Sequence, residues 1–171
     1  MKATNNFLRI YSLLALFLLL AIPQNMALAQ TSGQNVFGGT LDDYSESIRP
    51  TNDGGYVITG RMKSYGAGNH DAYLTKTDSA GNIQWTKTYG GTNWEYGFDV
   101  QQTPDSGYAI LAATRSYGAG NSDVMLIRTD SAGTLVWTKT YGESSWDYGR
   151  AFKQTADNGF VVAGQTSRST T

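Results

Sequence analysis

Residues 77–88 read TDSAGNIQWTKT, and 52 positions further on residues 129–140 read TDSAGTLVWTKT. The same offset relates SYGAGN at 64–69 to SYGAGN at 116–121. Laid over 89–140, the segment 37–88 is identical at 26 of 52 positions, so the chain is a tandem repeat. A third copy opens at Tyr141, where Asp157-Asn158-Gly159-Phe160 falls on Asp105-Ser106-Gly107-Tyr108 and on Asp53-Gly54-Gly55-Tyr56. It runs out at Thr171, where the next SYGAGN is due.

Working outward from that register, each copy predicts four short strands. The first (47–51, 98–103, 151–155) is mixed in character, and the second (56–60, 108–113, 160–164) is almost continuously apolar. The third (71–78, 123–130) and fourth (83–89, 135–141) follow, rich in β-branched and aromatic residues, with turn residues every 8–12 positions. No 3.6-residue apolar period occurs after residue 29, so the class is all-β. Asp78-Ser79-Ala80-Gly81 and Asp130-Ser131-Ala132-Gly133 suit a type I turn closed by a left-handed glycine. Asp53-Gly54-Gly55, Pro104-Asp105-Ser106-Gly107 and Asp157-Asn158-Gly159 suit tight hairpins. Similar four-stranded antiparallel sheets with apolar middle strands need cover on both faces, which a radial stack of β-propeller blades provides; a β-sandwich is the competing arrangement. The expected division is a signal at 1–29, a lead-in at 30–43, blades at 44–89 and 90–141, and an incomplete blade at 142–171.

The segments TDSAGNIQW and TDSAGTLVW resemble the Asp-x-x-x-Gly-x-x-x-Trp docking motif of quinoprotein-like propellers, with Asp78 and Gly81 one residue closer than usual. The chain after the signal also resembles repeats of secreted prokaryotic surface proteins: Gly-Gly-Tyr, SYGAGN-x-Asp, Thr-Asp-x-x-Gly, then Trp-x-Lys-x-Tyr-Gly. The resemblance implies a fold and a compartment. It implies that Trp85 and Trp137, with Gly81 and Gly133, dock each blade on its neighbour; it implies no activity.

The amino terminus belongs to a different class. Lys2 and Arg9 precede the apolar run YSLLALFLLLAI at 11–22, Pro23 ends it, and Ala27-Leu28-Ala29 offers a small-x-small cleavage site. Twelve apolar residues are too few to span a bilayer, so this reads as a secretory signal cleaved between Ala29 and Gln30. The remaining chain carries 11 basic and 14 acidic residues, a net charge of −3. That balance argues against a nucleic-acid partner and against a polybasic membrane patch. The absence of cysteine excludes disulfide frameworks, thiolate catalysis and zinc ribbons.

Alternating strand direction places the loops between second and third strands on one rim with the links between blades. That rim gathers Tyr65, Asn69, His70 and Asp71, then Tyr117, Asn121 and Asp123. It also gathers the linkers Thr92-Asn93-Trp94-Glu95-Tyr96 and Ser144-Ser145-Trp146-Asp147-Tyr148. Aromatic rings beside carboxamides and carboxylates suit a sugar, whose CH face stacks while its hydroxyls hydrogen-bond. The plainer readings are that Trp94 and Trp146 plug the rim and that His70, aligned with Ser122, is a solvated loop residue. On those plainer readings Asn69, Asp71, Asn121 and Asp123 shape turns; paired oxygens fall short of a calcium ligand set, and no metal or cofactor is expected.

The expectation is therefore a secreted, non-enzymatic recognition module with a glycan or another copy of itself as partner. The alternatives are a fragment of a secreted glycosidase-like hydrolase, drawing on Asp42, Asp43, Glu46 and Asp99, and a few-bladed lectin that completes its ring by oligomerising. A chain cut within a repeat, or side-by-side assembly of copies, would account for the incomplete third blade.

Overall fold

The structure, a computed structural model, describes residues 37–167; the expected signal, its cleavage point and the first half of the lead-in lie outside them. Ten strands form three antiparallel sheets of four, four and two strands, with no helix among the described residues and no closure of the set. The first sheet is β1 (Asp43–Pro50), β2 (Tyr56–Met62), β3 (Asp71–Thr77) and β4 (Ile83–Tyr89) in that spatial order. The second repeats it with β5 (Glu95–Gln102), β6 (Tyr108–Thr114), β7 (Asp123–Thr129) and β8 (Leu135–Tyr141). A hairpin of β9 (Trp146–Gln154) and β10 (Phe160–Ser167) makes the third.

The turns form as their residues require. Gly81 and Gly133 sit at φ 84° and 75°, each donating its N–H to the carbonyl of Asp78 or Asp130, whose side chains accept two further backbone N–H groups. At the other turns the left-handed position is Gly54, Ser106 and Asn158, at φ 83°, 66° and 64°. Behind each stands an aspartate bonded to the threonine two residues earlier: Thr51 to Asp53, Thr103 to Asp105, Thr155 to Asp157. In the two complete sheets a cation from the third strand closes on that aspartate, Lys76 on Asp53 at 2.8 Å and Arg128 on Asp105 at 2.5 Å.

The inner strands begin earlier than the sequence suggests. β5 and β9 start at Glu95 and Trp146, so half of the two aromatic linkers, Glu95-Tyr96 and Trp146-Asp147-Tyr148, belongs to strands. A bulge makes this possible in every copy, leaving Glu46, Phe98 and Arg150 outside the ladder. Gly97 and Gly149 flank two of those bulges, and a Cβ there would meet Thr59 Oγ1 at 2.4 Å or Leu111 at 2.6 Å. A bare backbone lets each inner strand lie against the preceding sheet.

Burial explains the apolar middle strands. β6 is buried along its whole length. Tyr108, Ile110 and Ala112 face the first sheet, in one cluster with Val57, Ala72, Leu74 and Tyr89; Met125 and Ile127 join them from β7. The alternate residues Ala109 and Leu111 face the other way, onto Phe152, Phe160 and Val162. Trp85 packs against this first cluster, edge-on to Tyr108 at 5.8 Å, and Tyr89 donates its hydroxyl hydrogen bond to the Gly133 carbonyl at 2.7 Å. Trp137 meets Phe160 in the same manner at 6.2 Å. Both indoles are half-buried, less covered than a place in an apolar strand suggests. Gly133 abuts Trp85 of the preceding sheet rather than the tryptophan of its own copy.

A Cβ at Gly133 would stand 2.7 Å from the Trp85 ring, whereas at Gly54 it would meet nothing within 4 Å, although both residues have positive φ. Gly54→Ala is expected to cost about 1–2 kcal/mol of backbone strain. Gly133→Ala is expected to cost that and a further kcal/mol or more as the indole is displaced, roughly the penalty of an overpacked contact. Urea denaturation of the two variants beside the wild type measures the difference; equal losses would show that Trp85 does not lock the sheets.

Candidate functional site

The rim that carries the β2–β3 and β6–β7 loops is held together by main chain. Asn69 donates its N–H to the Asn93 carbonyl at 2.9 Å, Glu95 to His70 at 2.8 Å, and Arg115 to Trp94 at 2.8 Å. One repeat later Asn121 donates to Ser145 at 3.0 Å and Asp147 to Ser122 at 2.7 Å. Each loop is thereby fastened to the linker that follows its sheet.

The carboxylates of this rim serve the same fastening. Asp43 accepts from the Ser64 hydroxyl and from the backbone N–H groups of Gly39, Lys63 and Ser64. Burial works against the charge, but those four bonds outweigh it and hold the carboxyl at about 2. Glu95, fully buried, accepts from Gly91, from the Thr114 hydroxyl at 2.7 Å and from Ser116. Asp71 and Asp123, both 1% exposed, accept from Gly68 and Gly120 in the tight loops before them. Burial, followed by the charge of Glu95, pushes the Asp71 carboxyl above its ordinary range. Turn shaping is therefore what Asp71 and Asp123 do. Asn69 and Asn121 contribute backbone donors, with their side chains exposed. Among the described residues no three His, Asp or Glu side chains gather as a metal site.

The aromatic residues form a row across the two links. His70 lies on Trp94 at 4.6 Å, the Arg115 guanidinium stands over Trp94 at 5.4 Å and over Trp146 at 4.6 Å, and Trp146 stacks on Tyr148 at 6.1 Å. A second strip runs from Tyr44 through Arg61, 4.1 Å from that ring, to Tyr96 at 5.1 Å. Arg61 and Arg115 lie in the second-strand and loop segments of their copies and carry no signal in the sequence, because neither position is repeated: Arg61 aligns with Ala113 and Arg115 with Lys63. Tyr65 and Tyr117, both exposed, stand outside the row, although the Tyr117 hydroxyl reaches the Gly90 carbonyl at 3.2 Å.

His70 departs from the sequence expectation. It is buried rather than solvated, its Nδ1 has no hydrogen-bond partner, and burial followed by the nearby Lys63 and Arg61 charges lowers its proton affinity. The reason is Trp94 in the following linker, which covers the ring. Ser122, at the same place in the next copy, keeps only the backbone half of that arrangement.

Three of the four carboxylates considered for acid–base work, Asp43, Glu46 and Asp99, are occupied otherwise. Asp99 accepts from Ser47 and from Arg49 at 2.8 Å, and Glu46 faces Arg61 at 3.6 Å. What the rim offers a ligand is a line of ring faces and edges broken by two guanidinium groups, over a base of main-chain bonds. Comparison with protein-family models and with curated proteins returns no match.

Asp43 carries a pH signature. Its folded-state value lies below its ordinary 3.8, so its contribution is fully present above about 4 and is lost as the pH falls towards 2. Urea melts from pH 7 to pH 2 should show wild type and Asp43→Asn converging in stability at the acid end, with the wild type ahead at neutral pH. A gap that stays constant with pH would show that the carboxylate is not the group responsible.

Proposed function

We propose that this chain is an exported, non-enzymatic recognition protein built of β-propeller-type blades, which binds glycans along the rim of Trp94, Arg115 and Trp146. The observation that carries the reading is the row itself: aromatic groups from two successive links converge on one surface, with Arg115 between the two indoles. Aromatic rings flanked by donors suit sugar rings and their substituents. The carboxylates around them are engaged by backbone and hydroxyl donors, which favours binding over hydrolysis. The propeller reading is supported by two like sheets and a hairpin packed in one order, with the outer-strand tryptophan of each four-stranded sheet against its successor. Export rests on the basic, apolar and small-residue segments of the first 29 residues.

The exported protein, whose first residue is expected to be Gln30, should bind a subset of glycans on an array and turn none of them over. Trp94→Ala and Trp146→Ala, confirmed folded by melting, should each lower that binding about tenfold, in line with loss of one stacked aromatic contact. Carboxylate-dependent cleavage in a glycosidase screen would favour the hydrolase alternative instead.

A second reading, association with further copies of the same blade, draws on a different observation. Beside Trp137 and Phe160 lies an open cleft of about 640 Å³, on the flank where at the first junction β7 and the Gly133 turn cover Trp85. Tyr141, which lines it, is 51% exposed, whereas its counterpart Tyr89 is buried at the first junction. Blade-to-blade association through this flank predicts a concentration-dependent increase in mass by sedimentation, weakened by Tyr141→Lys. A strictly monomeric protein across the micromolar range would rule it out.

A further inference from the structure

At the opposite end of the sheets, where the tight turns lie, the junction between the first and second sheets opens into a separate cleft of about 380 Å³. Its wall is the half-buried Trp85 indole with Tyr108 set edge-on against it. Asn52, Gln84 and Ser131 line it as well.

Tyr108 is the informative residue. Three tyrosines are buried among the described residues: Tyr73, Tyr89 and Tyr108. Tyr73 shares a 2.7 Å hydrogen bond with Ser45, and Tyr89 donates to the Gly133 carbonyl. Tyr108, 2% exposed, makes no such bond with its hydroxyl; burial and then the charge of Asp53 raise its pKa, with no hydrogen bond among the causes. Among the described residues the enclosed side-chain atom without a partner is His70 Nδ1, so the Tyr108 hydroxyl is not sealed in: it opens onto the cleft, where an entering group can bond it.

The neighbouring polar groups are similarly uncommitted. The Gln84 side-chain oxygen accepts from Lys76 Nζ at 3.2 Å, which leaves its NH₂ group to donate elsewhere. The exposed Asn52 bonds Gln102 through its backbone N–H, and among the described residues its side-chain amide and the exposed Ser131 hydroxyl make no hydrogen bond. Lys76 and Asp53 neutralise each other at 2.8 Å, so the cleft carries no unbalanced charge of its own.

Docking of the sheets does not require these groups. At the next junction Phe160 takes the place of Tyr108 and packs on Trp137 at 6.2 Å and 68°, against 5.8 Å and 63° for the Tyr108–Trp85 pair. Val136 stands in the place of Gln84, and Pro104 in that of Asn52. The apolar contact and the aspartate–cation pair recur, while the phenol hydroxyl and the two amides belong to the first junction alone.

We infer that this cleft binds one neutral sugar residue, its ring against Trp85 and its hydroxyls bonded to Tyr108, Gln84 and Asn52. The size falls within the range of small-ligand pockets, and an indole beside uncharged donors and acceptors matches a polyhydroxylated ring better than an anion or a purely apolar ligand. The inference goes beyond the rim reading, sharing with it only the class of ligand, because the two sites lie at opposite ends of the sheets.

The test uses the exported full chain and the methyl glycosides of glucose, galactose and mannose, with glycerol as the control polyol. Binding is read by saturation-transfer NMR and by tryptophan fluorescence. At least one hexoside should bind and glycerol should not. Tyr108→Phe and Gln84→Val, each installing the residue that the second junction already tolerates, should weaken binding about tenfold. In a Trp94→Ala/Trp146→Ala background, which removes the rim's own share of the binding, the hexoside binding that remains should still fall about tenfold on Tyr108→Phe. Binding that survives both Tyr108→Phe and Gln84→Val in that background overturns the inference, as does a panel in which no hexoside binds. If Trp94→Ala or Trp146→Ala alone abolishes binding, the rim reading stands and this one falls. Glycan-array binding that is lost in those variants, with no hexoside bound, likewise leaves the rim reading standing and overturns the cleft.

Discussion

The contact on which the rest of the structure depends is the edge of one sheet's outer-strand indole against an aromatic ring in the second strand of the next. At the first junction Trp85 meets Tyr108, with the bare backbone of Gly133 under the indole and the Tyr89 hydroxyl tied to the Gly133 carbonyl. A four-stranded sheet of seven-residue strands has two faces to cover and too little mass to cover either alone. Docking supplies the cover. β6, covered on both sides, reads as a nearly unbroken apolar run, whereas β4 and β8, on the outside, each carry the polar run Thr-Lys-Thr.

From that contact the two ends of the molecule acquire different characters. At the turn end the chain reverses in few residues, and each β1–β2-type turn is stiffened by a threonine–aspartate bond, with a cation from the third strand in the complete sheets. At the loop end the connections are longer and are stitched to the following linker, leaving their side chains to vary. The aromatic–guanidinium row occupies this end, and the cleft with the unbonded Tyr108 hydroxyl the other.

Much of the architecture could be read in the sequence because it is repeated. Asp78-x-x-Gly81 and Asp130-x-x-Gly133 announced their turns through recurrence at a fixed offset joined to known turn chemistry, while the docking of Trp85 and Trp137 was implied by the resemblance of their segments to a propeller docking motif. What does not recur is harder to see. Arg115, His70 and Arg61 acquire meaning only once the loops of one copy lie on the linker of the next, a proximity that no periodicity encodes. The bulges are hidden for another reason: Gly97 and Gly149 align with Ser45, so the position reads as ordinary variation until the close approach to Thr59 and Leu111 is visible. Tyr108 is legible as core but not as a binding group, since the hydroxyl matters only by lacking a partner.

The stitching of loop to linker at Asn69–Asn93, His70–Glu95 and Asn121–Ser145 is made by peptide groups alone. Peptide groups are common to all residues except proline, which lacks the donor, so most side chains there can be exchanged without undoing a stitch. The scaffold thus separates what holds a loop in place from what the loop displays. A lineage duplicating this four-stranded unit could diversify its outward-facing surface copy by copy while inheriting the anchoring unchanged, much as Ser122 already differs from His70 on the same backbone bridge.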